Sequence, residues 1–395
     1  MGSAGRQQLK GRPTVPRGPR FIAVLIAVLA LLHGLPWLVL VASPGWSTAV
    51  TVIGSAVFLF AAIGFPFAMM RGHGRHHADR SAVAADAWLG IIWQFFVWSV
   101  LGGVATLVLR AFGVHGAARP VAVVVAVVTL GLLALGFQRA MRVPPARELD
   151  VVLPRLRPGL DGTRLVVVAD THFGPINRAG WSRRTVAAIT ALKPDILAHV
   201  GDLADGSVDQ RREQVAPLAT APATLARVYI TGNHEYFSGA AEWIAHMDAL
   251  GWDVLHNKHI VVERGGDKLI IAGIDDLTAA SSGQPGQGAD INAALDGVDP
   301  ALPVLLLAHQ PKQVATSVAA GVDLQIAGHT HGGQMWPFHL LVRLDQKYLH
   351  GLSRHGDRTQ LYVSRGAGFW GPPFRIFAPN ELSVLTLRSP EAAGS

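Results

Sequence analysis

The chain has 395 residues, no cysteine and a formal net charge of +7. Its length allows a catalytic domain together with a second region. The absence of cysteine excludes disulfide bonds, thiolate metal sites and a cysteine nucleophile. Residues 1–150 carry 13 basic and 4 acidic residues, whereas the rest carries 21 basic and 23 acidic residues. The C-terminal region therefore has no general excess of positive charge, and we predict no nucleic-acid partner.

Four apolar stretches fill the N-terminal region after a basic tail over residues 1–20. They cover residues 21–41, 47–70, 88–112 and 120–137. Each is close to the ~20 residues that a helix needs to cross a bilayer. Tryptophans recur near several of their ends, as in the interfacial belts of membrane proteins. Buried helices of a soluble protein usually keep a polar face, which these stretches lack. The sequence predicts four transmembrane helices over residues 21–138.

Lysine and arginine are distributed unevenly among the segments between these stretches. The N-terminal tail, the second loop and the segment after the fourth stretch each hold at least three of them; the first loop holds none, and the third holds two at its margins. Because positive segments are retained in the cytoplasm, we predict a cell-membrane protein with both termini and the C-terminal domain in the cytoplasm. The histidine-rich loop over residues 71–77 is interpreted as a basic loop facing lipid headgroups, since no acidic ligand accompanies it.

The C-terminal region begins after residues 139–160, a proline-containing stretch interpreted as a linker or as the first edge of the soluble domain. The domain itself is predicted over residues 161–388, with a short tail over 389–395. Within it, strand-like and helical runs alternate. Helices are predicted over residues 181–192, 208–221 and 240–250, and strands over 195–200, 227–231, 259–263, 268–272, 303–308, 323–327, 360–364 and 382–387. This order indicates an α/β domain.

Five short segments of this domain combine aspartate, asparagine and histidine. They are Asp170-Thr171-His172, Gly201-Asp202, Gly232-Asn233-His234-Glu235, Ala308-His309-Gln310 and Gly328-His329-Thr330-His331. Several follow apolar runs that are typical of strands, so their side chains should meet at one edge of a sheet. In a chain without cysteine, such a ligand set suits hard or borderline divalent metals.

The ordered series resembles the calcineurin-like metallophosphoesterase superfamily, whose pattern runs DxH, GD, GNH[DE], H and GHxH. The resemblance covers about residues 160–388, and the stretches 328–334, 364–368 and 372–373 are similar to a bacterial branch often attached to a membrane. It implies a two-sheet α/β sandwich flanked by helices. It also implies a metal-dependent phosphoric ester hydrolase that uses two divalent ions such as Mn, Fe or Zn.

The same resemblance implies a role for each residue of the series. Asp202 would bridge the two ions. The first ion would also take Asp170, His172 and His331, and the second would also take Asn233, His309 and His329. His234 would donate a proton to the leaving group, and Asp205 matches the acidic position that orients that histidine in some members. Two further residues are interpreted as structural, His199 as a hydrogen-bonded core histidine and Glu235 as a support for its loop.

The substrate is less well defined than the reaction. Gly206 stands where Ser/Thr protein phosphatases carry an arginine that binds phosphate, which disfavours that activity. Attachment to a lipid bilayer favours a lipid-linked phosphoester or pyrophosphate; a nucleotide or cyclic nucleotide is the alternative. A sensor or transporter module with a non-catalytic metal-binding domain is the alternative from another class, disfavoured by His234 beside a complete ligand set. Residues 335–342 are interpreted either as an apolar ledge near the membrane or as a core strand or loop.

Overall fold

The computed structural model describes residues 18–74, 78–284 and 287–390. The N-terminal region contains four long helices: α1 (Pro19–Trp37), α2 (Thr48–His73), α3 (Asp79–Ala111) and α4 (Ala118–Met141). A π-helical turn, Leu38–Ala42, continues α1. All four are long and apolar enough to cross a membrane, which confirms the four predicted spans. Most of the basic tail, and Arg75, His76 and His77 of the histidine-rich loop, lie outside the described residues.

The chain divides into two compact units. The first comprises Met1–Pro66 and Ile92–Val127, and the second comprises Phe67–Ile91 and Val128–Ser395. In the described part of the first unit, glycines allow close helix contacts, as where Gly102 lies against Val125. One polar group in the same unit is satisfied by a neighbouring helix, since the indole N–H of Trp37 donates to the Ser55 hydroxyl over 2.9 Å.

The second unit contains two six-stranded mixed sheets. The first has the order β1-β12-β2-β3-β4-β5 and the second the order β10-β11-β9-β8-β7-β6. The strands are β1 (Ala146–Val152), β2 (Thr163–Val168), β3 (Ile196–Val200), β4 (Ala226–Ile230), β5 (Asp253–Val254), β6 (Lys258–Arg264), β7 (Asp267–Gly273), β8 (Val304–Leu307), β9 (Leu324–Ala327), β10 (Gly351–His355), β11 (Thr359–Val363) and β12 (Leu382–Arg388). This architecture is the predicted two-sheet α/β fold.

In the described part of the chain, seven shorter α-helices accompany the sheets. They are α5 (Ala179–Ala191), α6 (Val208–Val215), α7 (Asn233–Ser238), α8 (Ala240–Ala249), α9 (Ile291–Ala294), α10 (Val314–Ala319) and α11 (His339–Gln346). The side chains of β2 point alternately to the two faces of the first sheet, and each face contributes to a different core. Leu165 and Val167 join the core between the two sheets, whereas Val166 and Val168 join the core that contains Trp243 of α8. Each sheet is therefore apolar on both faces.

Most of the longer predicted elements agree with the structure to within a few residues, but α3 begins nine residues before the predicted span, and several short elements were not predicted. Within the stretch 139–160, β1 pairs in parallel with β12 over seven residues, so this part forms the edge of a sheet. The two-residue β5, the strand β10 and the helices α7, α9, α10 and α11 were not predicted. The helices and β5 are too short for a repeating pattern of apolar residues to reveal them, and β10 has only one apolar side chain, Leu352.

The second unit includes the start of α3 and the end of α4, and these two helix ends pack directly on its α/β part. A Cβ atom at Gly90 of α3 would lie 2.5 Å from Phe374, and one at Gly136 of α4 would lie 2.7 Å from Ile376. The carbonyl of Gly136 accepts the backbone N–H of Arg375 over 3.0 Å. By contrast, a Cβ atom at Gly131 of α4 would have no neighbour within 4 Å among the described residues. Within this unit, residues 374–376 are therefore fitted closely to α3 and α4.

Candidate metal centre and active site

The five segments of the series meet in the structure where strands of both sheets end. Asp170 and His172 follow β2, Asp202 follows β3, and Asn233 and His234 follow β4 in the first sheet. His309 follows β8, and His329 and His331 follow β9 in the second sheet. Backbone bonds fix neighbouring segments to each other, since the N–H of Asp170 donates to the Gly201 carbonyl and that of His172 to the Asp202 carbonyl, each over 3.1 Å.

The predicted ligands form two groups of potential metal donors. The ligand atoms of Asp170, His172 and His331 lie within 4.8 Å of one another, and so do those of Asp202, His309 and His329. Asp202 also reaches the first group. Its Oδ2 atom is 3.2 Å from His309 Nε2 and 3.6 Å from His172 Nε2. One carboxylate oxygen thus lies between the two groups.

Several of these ligand atoms are buried without a hydrogen-bond partner among the described residues. They include Asp170 Oδ2, Asn233 Oδ1 and His329 Nδ1. Buried polar atoms are nearly always hydrogen-bonded, because an unsatisfied one costs about 1–3 kcal/mol. Three unsatisfied lone pairs in one cluster fit a bound cation, and oxygen and imidazole donors without sulfur fit Mn, Fe or Zn.

The backbone of the cluster is held in an unusual conformation. Positive φ angles occur at five of the predicted ligands: Asp170 (54°), His172 (42°), Asp202 (52°), His329 (69°) and His331 (51°). Such angles are uncommon outside glycine and cost free energy, and they concentrate at functional sites. Gly232 makes a further close approach, since a Cβ atom there would collide with Asp202 Oδ1. His329 lies in the loop after β9, and His331 begins a short 3-10 turn over His331–Gly333.

Asp205 connects two histidines of the site. Its Oδ1 atom lies 2.8 Å from His172 Nδ1 and 2.7 Å from His234 Nδ1. When both Nδ1 atoms carry protons, the carboxylate accepts from both rings and leaves the Nε2 atom of each available. Burial disfavours the charged form of His234, but the carboxylates of Asp202 and Asp205 outweigh it and raise its pKa to about 9. His234 is therefore an imidazolium near neutral pH when no cation lies beside it.

Aromatic side chains flank the exposed side of His234. Its ring centroid lies 5.5 Å from that of Phe237 and 6.3 Å from that of Trp370. Phe237 is 60% exposed and Trp370 is 49% exposed. Neither residue was singled out in the sequence, because their positions beside His234 depend on the fold. The two rings give the entrance of the site an apolar character.

Buried charged groups support the loops of the cluster. The Glu235 carboxylate accepts the backbone N–H groups of Asp202, Leu203 and Gly232 over 3.1, 2.8 and 2.5 Å, in agreement with the interpretation that it supports its loop. Arg375 is fully buried and donates to the His331 carbonyl over 2.7 Å. The sequence analysis missed Arg375, although an arginine inside the apolar run 374–377 is a signal that could have identified it.

Two other histidines had been interpreted from the sequence. His199 is fully buried, its Nε2 atom lies 3.1 Å from the Thr171 hydroxyl, and burial lowers its pKa to about 3, so it is a neutral core histidine as interpreted. The expectation that no acidic residue accompanies the loop over residues 71–77 was wrong for His73. Its Nε2 atom lies 2.8 Å from Asp86, because α3 begins nine residues before the predicted span and brings Asp86 alongside the end of α2.

The comparisons with known proteins agree with this geometry. Residues 163–333 match the family model for the calcineurin-like phosphoesterase. A zebrafish (Danio rerio) transmembrane protein with metallophosphoesterase domain is 31% identical over 394 residues, which cover 96% of this chain and 83% of that protein. An uncharacterized metallophosphoesterase of Helicobacter pylori is 36% identical over 259 residues, covering 65% of this chain and 68% of that protein.

Among solved structures, the NAD nucleotidase of Haemophilus influenzae matches with a TM-score of 0.37 and 16% identity, covering 52% of this chain and 45% of that one. The fold and the donor set define a metal-dependent phosphoester hydrolase. The chain belongs to the calcineurin-like phosphoesterase family, and it carries four candidate membrane-spanning helices.

Proposed function

We propose that this protein is a membrane-anchored phosphoesterase with two divalent ions joined by Asp202. The observation that carries the proposal is the buried Asp202 Oδ2 atom, within 3.6 Å of a histidine of each donor group. Asp170, His172 and His331 would complete one ion's ligands, and Asn233, His309 and His329 the other's. When bound, two such ions supply Lewis acidity towards phosphate oxygens and a water that is acidic enough to act as nucleophile near neutral pH.

The chain's own residues provide the proton for the leaving group. Asp205 holds the Nδ1 atom of His234, so the Nε2–H of the imidazolium is free to face a substrate. His234 donates this proton to the departing oxygen, which would otherwise leave as a poorly stabilised alkoxide. Because Asp205 also holds His172, one carboxylate orients both the proton donor and a ligand of the first ion. A binding module without catalysis would not need this arrangement.

The apolar entrance supports a lipid-linked phosphoester or pyrophosphate as the substrate. Phe237 and Trp370 lie where the leaving group must sit if His234 protonates it. Trp370 precedes the segment that packs on Gly90 and Gly136 of the membrane helices, so a leaving group at Trp370 is close to their ends. The same two rings could stack on a nucleobase, which makes a nucleotide or cyclic nucleotide the second candidate.

A substrate panel distinguishes the two candidates. Full-length protein with Mn²⁺ is offered phospholipids, lipid pyrophosphates, nucleotides and cyclic nucleotides, and phosphate or phosphomonoester release is measured. We expect a lipid-linked substrate to give the highest kcat/KM, because its apolar part contacts the rings beside His234. Hydrolysis of nucleotides with no turnover of any lipid-linked compound would favour the second candidate.

The distribution of basic residues supports a cytoplasmic active site. Arg71 lies in the last turn of α2, Arg139 lies in the last turn of α4, and Arg142 directly follows α4. These helix ends belong to the same unit as the donor cluster. Positively charged flanks are retained in the cytoplasm. A reporter that works only in the cytoplasm should therefore be active when it is fused after Ser395. Activity of an export-dependent reporter at that position would place the site on the other side of the membrane.

The bridging role of Asp202 predicts the metal content of a variant. Asp202→Ala should lose activity and also bind far less of both ions, since one carboxylate contributes to each. Elemental analysis of the purified protein measures the content. Asp209→Ala, which removes an exposed carboxylate on α6, is the matched control and should keep both ions. Retention of two ions by Asp202→Ala would contradict the bridge.

The role of His234 predicts a dependence on the leaving group. His234→Ala should keep its ions and lose about 10²–10⁴-fold in kcat for alkoxide leaving groups, with a smaller loss for p-nitrophenolate, which needs little protonation. His246→Ala, on α8 outside the donor cluster, serves as the control. An equal loss for good and poor leaving groups would argue against proton donation.

The same assignment predicts a pH profile. His234 must be protonated to act, so the rate on poor leaving groups should fall as pH rises through its pKa. The value of about 9 applies without cations beside the ring, and bound ions should lower it. We expect this alkaline decline in the unsubstituted protein and its absence in His234→Ala, measured as kcat against pH.

A further inference from the structure

Helix α11 exposes an apolar face that the catalytic site does not use. Leu340, Leu341 and Leu344 are 56%, 54% and 80% exposed. At 100° per residue, the three side chains lie within an arc of about 100°. The sequence analysis had interpreted residues 335–342 as a ledge near the membrane or as a core strand or loop, without expecting a helix. Three exposed leucines on one short helix are unusual for a surface that faces water.

The opposite side of α11 is fixed to the protein by polar contacts. Gln346 is 1% exposed and donates from Nε2 to Gln310 Oε1 over 3.2 Å. Asp345 lies 3.4 Å from the ammonium group of Lys312. At the start of the helix, His339 packs so closely on Gly333 that a Cβ atom there would collide with it. These contacts hold the helix with its leucines facing outward.

The surroundings of α11 point to a lipid bilayer as the partner of this face. The backbone N–H of Trp336, three residues before the helix, donates to the Ile376 carbonyl over 3.1 Å. Ile376 in turn packs on Gly136 of α4, a candidate membrane span in the same compact unit. Phe377, the next residue, is 62% exposed. The segment that leads into α11 is therefore joined through Trp336 and Ile376 to a helix that is apolar enough to enter the bilayer.

The charges beside the leucines fit the same partner. Arg343 on α11 and Lys347 directly after it are both exposed. An amphipathic helix with leucines on one side and basic residues at its flank is typical of helices that lie in the headgroup region of a membrane. The basic side chains would contact anionic headgroups while the leucines enter the acyl layer.

We propose that α11 docks on the bilayer with Leu340, Leu341 and Leu344 inserted beneath the headgroups. This inference rests on the proposed membrane anchoring, and it deepens the proposed function by naming the surface that faces a lipid-linked substrate. The helix is joined at its two ends to loops that carry proposed ligands. Gly333 lies two residues after His331, and Gln310 directly follows His309. Docking of α11 thus sets the orientation of the donor cluster relative to the membrane.

The absence of cysteine in the chain permits a direct test. Leu344→Cys places one NBD fluorophore on α11, and Val261→Cys places one at a half-exposed apolar position on the edge strand β6 as the control. Each full-length variant is reconstituted into vesicles of phosphatidylcholine and phosphatidylglycerol that contain doxyl-labelled phosphatidylcholine. We expect the doxyl lipids to quench the label at position 344 several-fold more strongly than the label at position 261.

A second variant tests whether the leucine face itself inserts. Leu340→Glu, combined with the label at Leu344→Cys, should reduce the quenching towards the control value, because a carboxylate resists entry into the acyl layer. Equal weak quenching at positions 344 and 261 would overturn the proposal. So would a label at 344 that is shielded from water but not quenched by lipid, as contact with a second copy of the chain would produce.

The quenching experiment does not depend on hydrolysis. If α11 is quenched while no lipid-linked compound is turned over, docking stands and the proposed substrate is wrong. If lipid-linked compounds are hydrolysed without quenching at position 344, the substrate assignment stands and docking of α11 is wrong.

Discussion

The buried carboxylate of Asp202 is the constraint on which the active site depends. A carboxylate removed from water is destabilised unless opposite charge and hydrogen bonds surround it. Around Asp202 these come from His309 and His172 and from the backbone N–H of His234, which donates to its Oδ1 atom over 2.9 Å. Glu235 in turn fixes the backbone of Asp202. The two sheets therefore meet at a site whose charges stabilise one another, and the ligand atoms that still lack a partner there would suit a cation.

The shared carboxylate of Asp205 has a mechanistic consequence. It ties His172, a proposed ligand, and His234, the proposed acid, to the same oxygen atom. Movement of one ring must affect the position of the other. In the proposed mechanism, one carboxylate would therefore couple proton donation by His234 to metal binding by His172.

The sequence was sufficient for the parts of the structure that have a long or specific pattern. Four apolar stretches predicted the four helices, and ordered polar segments after apolar strands predicted that Asp170, Asp202 and His309 would lie together. Arg375 and Trp370 were missed, because their importance comes from neighbours that are distant in sequence. Helix α11 was missed for another reason: its eight residues are too few for helical periodicity to separate it from a strand or loop.

The close fit of residues 374–376 against Gly90 and Gly136 also limits how far the α/β part can move relative to these parts of α3 and α4. Only four residues separate the end of α4 from β1, so the α/β part has no long tether on which to swing. The C-terminal end of α4 and the donor cluster thus belong to one compact unit. If α4 is anchored in a bilayer as we propose, the distance from that end of the helix to the donor cluster is set by the fold and not by a flexible linker.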